Sequence, residues 1–233
     1  MIEIKNIEKS YIKGSVSTHV LRGITLSIDR GEYVAIMGPS GTGKSTLMNM
    51  IGCLDKPTRG QLELDGVDIN KLDDDALSAL RNRKIGFVFQ QFFLLERTSA
   101  LDNVLLPLIY ADKYPADAAQ RAKKALASIG LEDRTEYLAN ELSAGQQQRV
   151  AIARALINDP DVILADEPTG NLDSKSTAEV MDIFSRLHQE GKTIVVVTHD
   201  RAVAERAQRI LELKDGQIIE NDTNSKAENS GDN

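Results

Sequence analysis

The apolar positions of this chain follow two rhythms. Residues 2–7 and 20–28 read as strands, the latter alternating apolar with polar as a half-buried strand does, whereas Tyr33–Met37 is continuously apolar and reads as a strand buried on both faces. Further short apolar runs at 60–64, 85–89, 162–165 and 193–197 predict more strands. Stretches 75–83, 174–189 and 202–206 have helical composition and lie between them. Strands interleaved with helices predict an α/β fold whose sheet is mostly parallel. From about Ser99 to Asn158 the pattern is helical throughout, with a helix opening at Pro115 and Ala116 and keeping three- and four-residue apolar spacing through Ala125 and Ile129. A helical lobe inserted into an α/β core is the expectation. The last stretch, NDTNSKAENSGDN, holds too little apolar surface to order itself.

Composition narrows the function. Among 233 residues, Lys and Arg number 28 against 35 Asp and Glu, a net charge of −7. That balance disfavours nucleic acid as the main partner, since phosphate backbones need clustered cations. The single cysteine, Cys53, excludes an intramolecular disulfide and follows the apolar run LMNMIG, so it reads as a small buried hydrophobe. No apolar run reaches the roughly 18 residues that span a bilayer. The opening MIEIKNIEKSY lacks the apolar core of a secretory signal, so the expectation is a protein that stays in the compartment where it is made.

The chemistry begins at Gly38-Pro39-Ser40-Gly41-Thr42-Gly43-Lys44-Ser45-Thr46, which satisfies G-x-x-x-x-G-K-[ST] between a predicted strand and a predicted helix. Glycines let the backbone curl so that several N–H groups point at one phosphate, and the helix N-terminus adds partial positive charge. Lys44 is placed to reach the β- and γ-phosphates, and the Ser45 hydroxyl to ligate Mg²⁺. Nucleotide binding follows. Asn70-Lys71-Leu72-Asp73 matches a guanine-reading motif, but it precedes the second acidic motif and the chain has no D-x-x-G. Capping of the next helix by Asn70 or Asp73 explains it better.

The second acidic motif, Val162-Ile163-Leu164-Ala165-Asp166-Glu167, ends a buried strand on two carboxylates. Asp166 suits the Mg²⁺ shell. Glu167 follows it on the other side of the pleat and suits polarisation of an attacking water. A phosphotransferase has no use for that group, so the pair favours hydrolysis. Leu142-Ser143-Ala144-Gly145-Gln146-Gln147-Gln148-Arg149 then places a small-residue turn at the start of a strong helix, a second anion-ready N-terminus. One phosphate loop serves one nucleotide, so this second terminus suits a nucleotide held by another copy.

Taken together, these motifs resemble the nucleotide-binding subunits of ABC transporters across essentially residues 1–220. The resemblance implies a P-loop NTPase core of RecA-like type, assigned to 1–95 and 158–220, with an N-terminal antiparallel β subdomain, a helical subdomain at about 96–157 and a polar tail at 221–233. It implies that Gln90 contacts Mg²⁺ and its water and senses a membrane partner. It makes His199 the switch histidine on the γ-phosphate, puts Asp173 in the loop that crosses a dimer interface after Asn171, and stacks Tyr11 on adenine. Ser143, Ala144, Gly145 and Gln146 become the signature that closes over ATP from a second copy. The family norm has glycine where this chain has Ala144, and with a methyl at a turn needing positive φ, hydrolysis is expected to be retained but slower.

The run Phe87-Val-Phe-Gln90-Gln-Phe92-Phe93-Leu94-Leu95 is dense in aromatics for a chain that is 4% aromatic, and 92–95 is expected to meet a permease helix. With ALDNVLLPL and LADEPTGNLDS, it most resembles the MacB/LolD/FtsE-like branch. That implies a permease with few membrane helices, working in efflux, lipoprotein release or antimicrobial-peptide resistance. The expected location is the cytoplasmic face of the membrane. The rival readings are a soluble ABC ATPase acting on nucleic acid or ribosomes, and an ATP-switched regulatory module with little intrinsic hydrolysis.

Overall fold

A computed structural model of the protein describes residues 1–14, 16–111 and 113–221. The chain divides into two compact units, Met1–Lys71 with Val195–Asn233, and Leu72–Ile194.

In the first unit, β1 (Ile2–Lys13) and β2 (Val16–Ile28) form a long antiparallel hairpin. β4 (Arg59–Leu64) pairs with the other edge of β1, and the short β5 (Val67–Asp68) completes a sheet of order β2-β1-β4-β5. Ile2, Ile4, Ile7, Leu21, Ile24, Ile28, Leu62 and Leu64 line its buried face. Both hairpin strands run well past the expected 2–7 and 20–28. Their distal halves pair through Ser10↔His19, Tyr11↔Thr18 and Lys13↔Val16 while carrying mostly exposed side chains, so hydrophobic alternation is silent there. The register slips between Ile4 and Ile7, around Asn6 at φ 49°, which is how a bulge bends the strand.

The same unit holds β3 (Tyr33–Met37), with β9 (Arg209–Lys214) parallel to it and β10 (Gln217–Asn221) antiparallel to β9. β8 (Thr193–Val197) lies on the other side of β3. β9 and β10 are absent from the strands read in the sequence, although Asp215-Gly216 between two apolar runs is a hairpin signal. Both residues are left-handed, at φ 50° and 78°, as a tight two-residue turn requires. α1 (Lys44–Ile51) follows β3, and α7 (Arg201–Ala204) starts on an Asp200 cap and packs Ala204 with Ala35 and Ile210. β10 carries order to Asn221, one residue past the expected end of the domain. The rest of the 221–233 tail lies outside the described residues.

In the second unit, β6 (Ile85–Phe89) pairs in parallel with β7 (Val162–Asp166), from Ile85↔Val162 to Phe89↔Asp166. α2 (Asp74–Lys84) begins where the Asp73 carboxylate accepts the Ala76 N–H at 2.8 Å, the capping role expected of N-K-x-D. α3 (Ala100–Leu105), α4 (Ala118–Ser128) and α5 (Ala144–Leu156) follow β6 in the chain, and every named element from Ala100 to Leu156 is helical. Gly86 lets α5 approach β6: a Cβ there would collide with the Ala155 carbonyl. α6 (Ser174–Gln189) precedes β8 and buries Val180, Ile183, Phe184 and Leu187. No helix among the described residues is long and apolar enough to cross a membrane.

Candidate nucleotide site

The phosphate loop lies in the first unit, between β3 and α1. Gly38 stands at φ 154°, with the Leu213 carbonyl where a side chain would begin. Gly43, at φ 103°, is the N-cap of α1, and a Cβ there would meet Leu21 Cδ2 at 2.7 Å. Neither position accepts another residue. α1 has no side-chain cap hydrogen bond and no acidic residue in its first turn, so no carboxylate offsets the partial positive charge of its N-terminus. The Lys44 ammonium, 9% exposed, folds back to donate to the Gly38 and Pro39 carbonyls at 2.7 and 2.9 Å. It is thereby held against the backbone at the start of the loop. Thr42 donates its hydroxyl to Pro39 O at 2.9 Å, and Ser45 is exposed on the helix start beside Thr46.

Two more sequence-predicted residues join this loop within the same unit. The Thr198 N–H donates to Ile36 O at 3.1 Å, so the exposed His199 emerges one residue later, beside the strand that feeds the phosphate loop. Tyr11, 43% exposed on β1, donates its hydroxyl to Asp55 at 2.9 Å.

The remaining candidates lie in the second unit. Asp166 is the last residue of β7, half-buried after four buried positions. Glu167 has already left the strand: its φ is 47°, left-handed, and its carbonyl accepts the Gly170 N–H at 3.0 Å in a turn. Pleat alternation therefore does not aim Glu167, contrary to the reading of the sequence; a strained turn does. Left-handed conformation costs a non-glycine residue about 1 kcal/mol, which marks this position as one where side-chain identity outweighs backbone comfort.

Gln90 sits directly after β6, and its side chain lies across Gly170, where a Cβ would fall 2.6 Å from its Nε2. Asn171 closes the contact, donating to Gln90 O at 3.0 Å and accepting from Gln90 Nε2 at 3.4 Å. Beyond it, Phe93 is 60% and Leu95 52% exposed, while Phe93 turns left-handed at φ 49° and sets its ring edge-on to Phe89. This exposed loop is pinned from beneath. Arg154 of α5 donates to Phe92 O at 2.7 Å and Phe93 O at 2.5 Å, and the fully buried Asn103 bonds both the N–H and the C=O of Leu95.

Ser143 caps α5 in a reciprocal box: its hydroxyl accepts the Gln146 N–H at 3.3 Å, and Gln146 Oε1 accepts the Ser143 N–H at 2.9 Å. Ala144 is the first helical residue, exposed and outside the left-handed set, so its methyl meets no strained turn. The expected strain at that position is absent. The glycine that geometry demands is the next one. Gly145 is buried, and a Cβ on it would lie 2.5 Å from Ser176 Oγ. Ser176 also donates its hydroxyl to Asp173 at 2.9 Å, and Asp173 caps α6 by accepting the Ser176 N–H. That N–H and hydroxyl hold the Asp173 carboxyl below the usual range.

Several contributors were not singled out in the sequence. Gln148 is fully buried and donates to Pro168 O at 2.6 Å, tying α5 to the turn after Glu167; a glutamine on the apolar side of a helix was the signal. Ser176 and Asp55 gave none, because the residues they meet, Gly145 and Lys9, are distant in sequence.

Comparison with known proteins agrees with this geometry. Residues 21–170 match the family model described as ABC transporter. The ABC transporter ATP-binding protein YknY of Bacillus subtilis (strain 168) is 54% identical, covering 94% of this chain and 95% of that protein. The macrolide export ATP-binding/permease protein MacB of Campylobacter fetus subsp. fetus is also 54% identical over 94% of this chain, which spans 34% of it. Among solved structures, the dimeric bacterial ABC transporter cassette MJ0796 superposes with TM-score 0.86 at 50% identity, covering 94% of this chain and 96% of that one. The same cassette in a dimeric post-hydrolysis state bound to ADP and Pi gives TM-score 0.85 at 49% identity, with the same coverage. With its phosphate loop, adjacent acids at Asp166 and Glu167 and capped signature helix, the chain belongs to the ABC transporter family, as one of its ATP-binding subunits and an ATPase.

Proposed function

We propose that two copies of this chain close head to tail around two MgATP, and that the closing and reopening drive a membrane permease of MacB-like type. The observation that carries this is the start of α5. It is a helix N-terminus with Ser143 and Ala144 exposed and Gly145 buried behind them, in a chain that already has a phosphate loop of its own. Its occupant is then the nucleotide of the other copy. The dimeric states described for the MJ0796 cassette support the arrangement.

In this reading, the N–H groups from Gly38 to Thr46 hold the phosphates and Lys44 leaves its carbonyl partners for the β- and γ-phosphates. Tyr11 stacks on adenine. Glu167 orients the attacking water, while His199, Lys44 and the partner copy's signature, from Ser143 through Gln146, stabilise the charge that builds up. Gln90 and Asp173 report closure to the partner and across the dimer. Among the described residues no group of three or more His, Cys, Asp or Glu could hold a metal. Mg²⁺ needs no such group, since it takes one or two protein oxygens and completes its shell with phosphate and water. Ser45, Asp166 and Gln90 offer hard oxygens of the right kind. Bound Mg²⁺ would neutralise phosphate charge.

The permease contact is the loop from Gln90 to Leu95, whose Phe93 and Leu95 are exposed although Arg154 and Asn103 hold its backbone in place. MacB relatives carry ATP-binding and permease parts in one protein, which supports a permease partner for this chain and a place at the cytoplasmic face of the membrane.

Mixing two inactive variants tests the head-to-tail pairing. Lys44→Ala and Ser143→Arg copies each lack one half of every site. In a mixed dimer, the phosphate loop of the Ser143→Arg copy meets the intact signature of the Lys44→Ala copy. Phosphate release should reappear on mixing. A mixture as inactive as its components would place both halves of a site in one chain and refute the proposal.

A further inference from the structure

Tyr11 stands on the open distal half of the β1–β2 hairpin, where an exposed tyrosine would ordinarily sample several rotamers. A base that stacks on a mobile ring must first freeze it, and that ordering weakens binding. Here the ring is already held. Its hydroxyl donates to Asp55 Oδ2 at 2.9 Å. The Lys9 ammonium, two residues along the same strand face, lies 5.0 Å from the ring centroid. A cation over one face of the ring leaves the opposite face for a base and polarises it.

Asp55 is the hub of this cluster. Its carboxylate accepts from Lys9 Nζ at 2.6 Å, from the Lys56 N–H at 2.8 Å and from Tyr11. Lys9 is 8% exposed and donates a second time, to Lys56 O at 2.7 Å. The Leu54 and Asp55 N–H groups bond Asn49 O within α1, so the carboxylate is anchored to the helix that the phosphate loop opens. A carboxylate only accepts, so the Tyr11 hydroxyl must donate and the orientation of the phenol is fixed. Partial burial alone would raise the Asp55 carboxyl, but Lys9, Tyr11 and the Lys56 N–H outweigh that and hold it low.

We infer that Asp55, together with Lys9, is a positioning residue for the nucleotide base: it fixes the Tyr11 ring at a set place relative to α1, and so contributes to ATP affinity through the base alone. This rests on the reading of Tyr11 as the adenine platform.

The test compares MgATP with tripolyphosphate, which has the charge but no base, by calorimetry on the purified chain. Asp55→Ala removes the hub. Tyr11→Phe keeps the ring, frees it from Asp55 and is the milder change should Asp55→Ala fold poorly. Each should weaken MgATP about 5-fold, the effect of having to order one side chain on binding, and leave tripolyphosphate unchanged. The double variant should lose no more than either single one. Weaker tripolyphosphate binding in the Tyr11→Phe variant would show a general structural role and overturn the inference. Tyr11→Ala separates the two levels. If it weakens MgATP while Tyr11→Phe does not, the platform stands and the positioning role fails. If Tyr11→Ala leaves MgATP affinity unchanged, the platform reading fails and the inference with it.

Discussion

Replacing Gly145 by alanine puts a methyl group 2.5 Å from Ser176 Oγ and 2.8 Å from Ser176 Cβ. Both distances are far inside van der Waals contact, and the methyl is anchored to a helix while Ser176 is anchored by two bonds to Asp173. Neither side yields cheaply. Overpacking of this kind destabilises by about 1–3 kcal/mol, or roughly 2–10 °C in Tm for a chain of this size. Ser176→Gly alone loses the hydroxyl bond to Asp173 and adds a glycine to a helix, together about 1–2.5 kcal/mol. In the double variant the obstructing atoms are gone, so the loss should stay near that of Ser176→Gly instead of summing. The coupling, about 1–3 kcal/mol in favour of the double variant, is read from Tm values of the four proteins in one buffer. Simple additivity would show that the signature helix and the first turn of α6 are not in contact as described, and that Gly145 is tolerant.

Three further outcomes follow from the same geometry. Ala144→Gly should lower Tm by no more than about 3 °C, the usual effect of glycine at an exposed helical position; a rise in Tm would mean that the methyl was strained after all. Asp55 is held below its ordinary value in the folded chain, so its contribution to stability is present above the unfolded carboxylate pKa, near 4, and is lost as pH falls through the lower folded value. Wild type should therefore lose Tm more steeply than Asp55→Asn below about pH 4, and parallel curves would contradict the cluster. Arg154→Lys removes one of two guanidinium donors from the 92–93 carbonyls and should speed chymotryptic cutting after Phe93 several-fold; an unchanged rate would show that the loop is held by other contacts.

Much of this was legible before any coordinates. Tyr33–Met37, the glycines after it and the apolar run into Asp166 each carry a local signal, and a strand–loop–helix phosphate site needs little else. Where sequence reading fell short, the missing information was conformational or distant. The polar outer half of the hairpin gives no hydrophobic alternation, yet its ladder continues to Lys13↔Val16. Glu167 looks like the next step of a pleat, and only its φ of 47° reveals a turn. The departure at Ala144 drew suspicion because the family has glycine there, whereas the position without room for a side chain is Gly145. Lys9, Tyr11 and Asp55 are unremarkable apart; the fold alone brings the strand and the end of α1 together.

The most direct measurement of the central claim is the assembly state of wild type and Glu167→Gln by size exclusion with MgATP, alongside phosphate release. Head-to-tail closure with Glu167 as the water-orienting group predicts an ATP-dependent dimer that accumulates in Glu167→Gln while phosphate release is lost. A Glu167→Gln protein that stays monomeric and releases phosphate at the wild-type rate would contradict both the arrangement and the assignment of Glu167.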